Sequence, residues 1–102
     1  MSNTIKDLIE TIKLRKKDNN IKKSYTALLL SSGLNKCIDK MTEEFDEFKQ
    51  ALKNKDNEIH ECADLLFHIL VSLESAGVNF DDVISELKKR KKQSGIEEKI
   101  NR

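Results

Sequence analysis

The sequence has no proline, no tryptophan, three glycines and two cysteines in 102 residues, and aromatic side chains make up only 5% of it. Without proline and with little glycine it lacks the turns of an all-β fold, and scarce aromatics remove many strand-favouring side chains. This argues against an all-β or doubly wound architecture. Long apolar runs are missing too. The longest, Ala27 to Leu30, is far too short to cross a bilayer, and Met1 to Lys17 holds no stretch of signal-peptide length. Cys37 and Cys62 allow at most one disulfide, and both fall in stretches that read as helix. The expectation is a reduced, cytoplasmic protein with no membrane partner.

An excess of one charge sign is also lacking, because 19 Lys+Arg oppose 18 Asp+Glu for a net +1. That balance argues against a nucleic-acid binder, which carries a basic excess over the whole domain. The total conceals an asymmetry: from Asp39 to Asp64 nine acids face four lysines, a balance of −5, and the remainder carries +6. A chain this short forms one domain over residues 1–102. Folding at that size buries only about 60 to 65% of the unfolded surface, so a second copy is expected to complete the core.

What is present is helical periodicity. Ile5, Leu8, Ile9 and Ile12 recur at i, i+3, i+4, i+7 and lead into Arg15, Lys16 and Lys17, which suit a helix C-terminus. Asp18-Asn19-Asn20 provides the exit. A short helix over Lys22 to Leu30 is expected, with Ser24 as its cap and Gly33 near its end. Leu34, Ile38, Met41, Phe45, Phe48 and Leu52 recur at alternating steps of four and three, the seam of a helix over Asn35 to about Lys53 packed lengthwise on others. Asn54 to Asn57 turns the chain into an antiparallel hairpin, with Asp56 or Asn57 capping a helix that runs to Gly77. A last helix opens at Asn79-Phe80-Asp81-Asp82 and ends in Lys88 to Lys92, a solvated basic terminus, before a polar tail from Gln93. The fold class is therefore all-α, a helical bundle built on an antiparallel hairpin and completed by dimerisation.

Chemistry is signalled by missing lysines. Glu44 and Glu47 are three apart on one predicted helix, and Glu61 and Asp64 are three apart on the next. Carboxylates at this spacing repel, and soluble helices relieve them with lysine or arginine at i±3 or i±4. Glu47, Glu61 and Asp64 have no such neighbour; Glu44 has Lys40. Between Cys62 and Leu73 the only polar residues are Asp64, His68 and Ser72, at i, i+4, i+8, so their helix is central and its polar stripe needs internal partners. Two acidic pairs facing each other across a hairpin are reconciled by a divalent cation. All-oxygen ligands favour Mg²⁺ or Mn²⁺. Glu43 and Asp46 face away from the seam and read as solvated acids, and His68 reads as a core histidine satisfied by a neighbour. A di-iron bundle needs Glu-x-x-His, which is absent, and Cys37, His60, Cys62 and His68 lack the usual zinc spacing.

The strings Lys23-Ser24-Tyr25-Thr26, Lys40-x-x-Glu43-Glu44-x-x-Glu47, Lys53-Asn54 and Glu61-x-x-Asp64-Leu65-Leu66-Phe67-His68, with the tail Ser94-Gly95-Ile96-Glu97-Glu98-Lys99, resemble the phosphoribosyl-ATP pyrophosphohydrolase family. Its members perform the second step of histidine biosynthesis and belong to the all-α, MazG-like NTP pyrophosphatases. The resemblance implies Mg²⁺-dependent hydrolysis of phosphoribosyl-ATP to phosphoribosyl-AMP and pyrophosphate by a homodimer. It further implies Glu44, Glu47, Glu61 and Asp64 as metal ligands, with a carboxylate of this group as general base and Glu43 orienting water. Arg15, Lys23 and Lys40 become candidates for phosphate oxygens, with Ser24 and Thr26 as donors. The chain departs from the family at Thr42, where glycine is frequent, at Phe45, where a small residue is usual, and at Phe67, where tyrosine is common. Two other readings stay open: a MazG-type enzyme for other (d)NTPs, and a non-catalytic helical dimer whose acids bind a partner.

Overall fold

A computed structural model describes residues 3–92. Five helices follow one another: α1 (Asn3–Asp18), α2 (Tyr25–Ser32), α3 (Leu34–Asn54), α4 (Glu58–Ser75) and α5 (Phe80–Lys92), with no strand among the described residues. The all-α expectation holds. The tail from Gln93 lies outside the described residues.

Helix ends follow local chemistry. The second helix starts at Tyr25 rather than Lys22, because residues 21–23 form a turn and Ser24, in extended geometry, accepts the Ala27 N–H at 3.1 Å. That bond satisfies one of the donors a helix N-terminus leaves open. Gly33 serves as the joint between α2 and α3 at φ 95°, a conformation that a side chain opposes even though a Cβ there would meet nothing within 4 Å. Gly77 ends α4 as expected: its N–H bonds Glu74 O and that of Val78 bonds Leu73 O, with φ 74° at the glycine. Asn57 precedes α4, but at φ 63° its side chain makes no capping bond, so the expected cap is positional only. Acids in the first turn, Glu58 and Glu61, offset that loss at the positive end of the helix.

α3 and α4 pack along each other as the hairpin, and α1 and α2 cover one side of it. The core is small: Ile12, Leu29, Cys37, Leu70 and Val71, with Ile5, Leu8, Ile9, Leu30, Phe67 and Phe80 packed around them. Lys13 and Lys16 of α1 both reach Glu74 near the end of α4, at 2.7 and 3.5 Å, and fix the register of these two helices.

The apolar seam of α3 departs from expectation. Leu34, Ile38, Phe45 and Leu52 remain 39 to 54% exposed, and the buried members of α3 are Cys37 and Ala51. Phe45, with Met41 and Thr42 on the same helix and Leu65 and Ile69 of α4, lines an open apolar groove of about 400 Å³. α1 and α2 occupy the Cys37 side of the hairpin, and among the described residues the rest of the stripe stays largely exposed.

Candidate metal centre

The α3–α4 hairpin sets the acidic residues face to face. One helical turn separates Glu44 from Glu47, so both project from the side of α3 that meets α4. Oxygens of Glu44, Glu47 and Glu61 fall within 4.8 Å of one another, and a second group joins His60, Glu61 and Asp64 on the same criterion. Glu61 belongs to both. The structure thus brings three of the four sequence-derived ligands into one cluster and sets Asp64 beside it, its Oδ2 turned to His60 Nε2 at 3.2 Å.

Glu44 Oε2 and Glu61 Oε2 are buried and have no hydrogen-bond partner. An orphaned carboxylate oxygen costs free energy, because water is removed and nothing replaces it. Burial pushes the Glu44 carboxyl above its usual range, and the nearby negative charge of Glu47 adds to this; His68 opposes the shift. Glu61 is raised for the same first reason, then by Glu47 and Asp64, with His60 opposing. These two residues are the electrostatically frustrated members of the cluster. Divalent cations with oxygen ligands relieve both defects at once, and the donor set fits a hard ion such as Mg²⁺.

The remaining sequence-derived residues divide by location. Glu43 is exposed and pairs with Lys40 at 3.2 Å, so Lys40 serves Glu43 rather than Glu44. Its amine is held above the ordinary lysine range, chiefly by that hydrogen bond. Ser24 uses its oxygen as the α2 cap and keeps its O–H free to donate. Thr26 is half-buried and Lys23 exposed at the same helix start. Arg15 lies on the exposed last turn of α1, beside Lys16, which meets Glu74. Glu74 is ten residues beyond Asp64 on α4, a rise of about 15 Å, so the structure does not bring Arg15 to the carboxylates.

Two contacts, of His68 with Tyr25 and of His60 with Asp64, were not anticipated, whereas His68 itself is the core histidine satisfied by a neighbour that the sequence implied. His68 is buried at 6% exposure, its Nδ1 lies 2.8 Å from the Asp64 carbonyl, and its Nε2 faces the Tyr25 hydroxyl at 3.4 Å. With Nδ1–H donating, Nε2 is left as the acceptor, and the Tyr25 ring meets His68 edge-on. This contact links the Ser24-Tyr25-Thr26 stretch to the ligand-bearing part of α4. The signal for the His60 contact was its i, i+4 relation to Asp64, which puts the two on one helix face.

The family model described as phosphoribosyl-ATP pyrophosphohydrolase matches residues 5–91. The chain is similar to the phosphoribosyl-ATP pyrophosphatase of Hydrogenovibrio crunogenus, 40% identical over all of this chain and 96% of that protein. It resembles the enzyme of the same name from Azorhizobium caulinodans at 46% identity, over 78% of this chain and 74% of that protein. A histidine biosynthesis bifunctional protein of Helicobacter hepaticus is 47% identical over 94% of this chain, which spans only 42% of that longer relative.

Proposed function

As the chain belongs to the phosphoribosyl-ATP pyrophosphohydrolase family, we propose that it is the hydrolase of the second step of histidine biosynthesis, cleaving phosphoribosyl-ATP to phosphoribosyl-AMP and pyrophosphate with Mg²⁺ held by Glu44, Glu47, Glu61 and Asp64. The observation that carries the metal assignment is the pair of buried, partnerless oxygens on Glu44 and Glu61, facing each other across the hairpin. When bound there, Mg²⁺ or Mn²⁺ would neutralise charge on the phosphates and on the departing pyrophosphate.

The protein's own groups supply the rest. Hydrolysis breaks one P–O bond of the α–β anhydride, and the attacking water loses a proton to a nearby base. Glu47, the exposed member of the carboxylate cluster, is placed to take it. Lys40 can leave exposed Glu43 for a phosphate oxygen at little cost, since water screens a surface ion pair and competes for both partners. The hydroxyls of Ser24 and Thr26, with Lys23, would meet phosphate oxygens at the start of α2, and the His68–Tyr25 contact keeps that start near α4. Glu43 has a supporting place, as the counter-ion of Lys40. The enzyme works as a homodimer closed over the open α3 stripe, and the free thiols of Cys37 and Cys62 support a cytoplasmic setting. No helix is long and apolar enough to cross a membrane among the described residues.

Pyrophosphate release tests the substrate. With Mg²⁺ present, phosphoribosyl-ATP should be cleaved in preference to every member of a dNTP panel; activity on the panel alone would point to the broader superfamily. Glu47→Gln and Asp64→Asn should fail to rescue a histidine auxotroph, and rescue at wild-type level by either would remove the metal assignment.

A further inference from the structure

We propose that His60, Glu61 and Asp64 form a second metal position of mixed nitrogen and oxygen character, which takes a transition ion such as Zn²⁺ or Co²⁺ in preference to Mg²⁺. The reading rests on the carboxylate site proposed above, with which it shares Glu61 and Asp64.

Three observations lead to it. His60 Nε2 and Asp64 Oδ2 are 3.2 Å apart. Two atoms bound to one ion at about 2.0 to 2.2 Å lie roughly 2.9 to 3.4 Å from each other, so the pair is already at a ligand–ligand distance. The spacing is also that of a helical chelate: His60-Glu61-Cys62-Ala63-Asp64 puts its first and fifth residues on one face, as the two histidines of an H-E-x-x-H helix are placed to meet zinc. Glu61 supplies the third donor within 4.8 Å, and its buried Oε2 has no other partner.

Donor chemistry separates the two positions. Glu44, Glu47 and Glu61 offer oxygen alone, which suits Mg²⁺. An imidazole nitrogen favours Zn²⁺, Co²⁺ and Ni²⁺ over the alkaline earths. Because Glu61 is common to both groups, it can bridge the positions, and a transition ion bound to His60 draws Glu61 and Asp64 away from Mg²⁺. Without metal, the Nε2–H tautomer makes the His60–Asp64 contact a hydrogen bond, and an incoming ion would take Nε2 while the ring carries its proton on Nδ1 instead.

The site is accessible to test, since the His60 side chain is 63% exposed and its replacement leaves the core untouched. Co²⁺ titrated into the metal-free protein should give a saturable visible spectrum and shift or broaden the His60 ring signals in ¹H–¹⁵N NMR. In His60→Gln the Co²⁺ affinity should fall about tenfold or more, with Mn²⁺ affinity, read by electron paramagnetic resonance, changing less than about twofold. Unperturbed His60 signals, unchanged Co²⁺ affinity in His60→Gln, or equal weakening of both ions would each overturn the proposal. Glu47→Gln provides the separate control. It should weaken Mn²⁺ and spare Co²⁺ at His60, and an unaltered Mn²⁺ affinity would count against the carboxylate site without touching the His60 result.

Discussion

Glu47 of α3 and Glu61 of α4 carry their carboxylates into one 4.8 Å cluster across the hairpin, together with Glu44. In water such a group would separate or pair with lysines. Here the lengthwise packing of α3 on α4 holds the backbones together, so the repulsion appears as raised proton affinity at Glu44 and Glu61. A cation of the kind proposed above would relieve this conflict.

The first prediction concerns pH. Glu44 and Glu61 bind protons more tightly in the folded chain than at the ordinary value of 4.5, first through burial and next through Glu47. Between 4.5 and the raised values the folded state therefore holds more protons than the unfolded state, and stability falls as pH rises. In EDTA, Tm should increase as the pH is lowered through the raised values of these two carboxyls toward 4.5. Saturating Mg²⁺ should weaken or reverse that trend, because the ion binds the deprotonated carboxylates. Glu74 acts in the opposite sense: Lys13 holds its carboxyl below 4.5, so its contribution is lost only at still lower pH. Thermal melts across this range, with and without Mg²⁺, decide the matter; a Tm in EDTA that drops on mild acidification contradicts the assignment.

The second concerns the α1–α4 brace. Glu74 is mostly buried, at 16% side-chain exposure, and accepts from Lys13 at 2.7 Å. Lys13→Met and Glu74→Gln should each destabilise by about 1 kcal/mol at low salt and couple in a double-mutant cycle by about 0.5 kcal/mol or more. High salt should shrink the coupling. Chemical denaturation measures all three quantities, and independent, additive effects would show that the contact is incidental.

A backbone position gives the third. Lys55 ends α3 in the left-handed conformation, φ 55° and ψ 44°, while Asp56 N–H bonds Ala51 O at 3.1 Å. A residue with a Cβ pays about 1 to 2 kcal/mol there, and glycine loses about 0.5 to 1 kcal/mol in chain entropy. Lys55→Gly should therefore stabilise by about 0.5 to 1 kcal/mol. Denaturation midpoints test this directly; a destabilised variant means the lysine side chain contributes something further.

The fourth concerns the open stripe. Ile38→Glu and Phe45→Glu place charge where the two side chains are 41 and 48% exposed, so helical content should persist. If the stripe forms the dimer contact proposed above, both variants should sediment as monomers at concentrations where the wild type associates. A monomeric wild type, or dimers of unchanged affinity in both variants, would show that this stripe is not the subunit contact.

Much of the fold was legible in the residues. Ile5 to Ile12, the four-three spacing from Leu34 to Leu52, and the caps at Ser24 and Gly77 each encode a local event, because helix period and terminal hydrogen bonding involve neighbours only a few residues apart. Asn57 misled for a related reason: its identity suited a cap, but the turn that joins α3 to α4 holds its φ at 63° and its side chain makes no capping bond. The candidate site was legible as absence. Glu47, Glu61 and Asp64 lack lysine or arginine one turn away on their own helices, which the sequence discloses. The side chains that face them from other helices are not disclosed.

The sequence by itself determined the number and order of the helices, the sharp turn between α3 and α4, and the pairing of acids one turn apart. Those follow from 3.6 residues per turn and from the chemistry of helix ends. Only the tertiary structure decided which part of the α3 stripe is covered, which carboxylate oxygens are buried without a partner, that Lys40 turns to Glu43, and that Asp64 turns to His60. A hydrophobic period specifies a face, but neither the helix that will cover it nor the rotamers of the groups along its edge. Those depend on the space that α1 and α2 leave when they pack on the Cys37 side of the hairpin and leave the Phe45 side open.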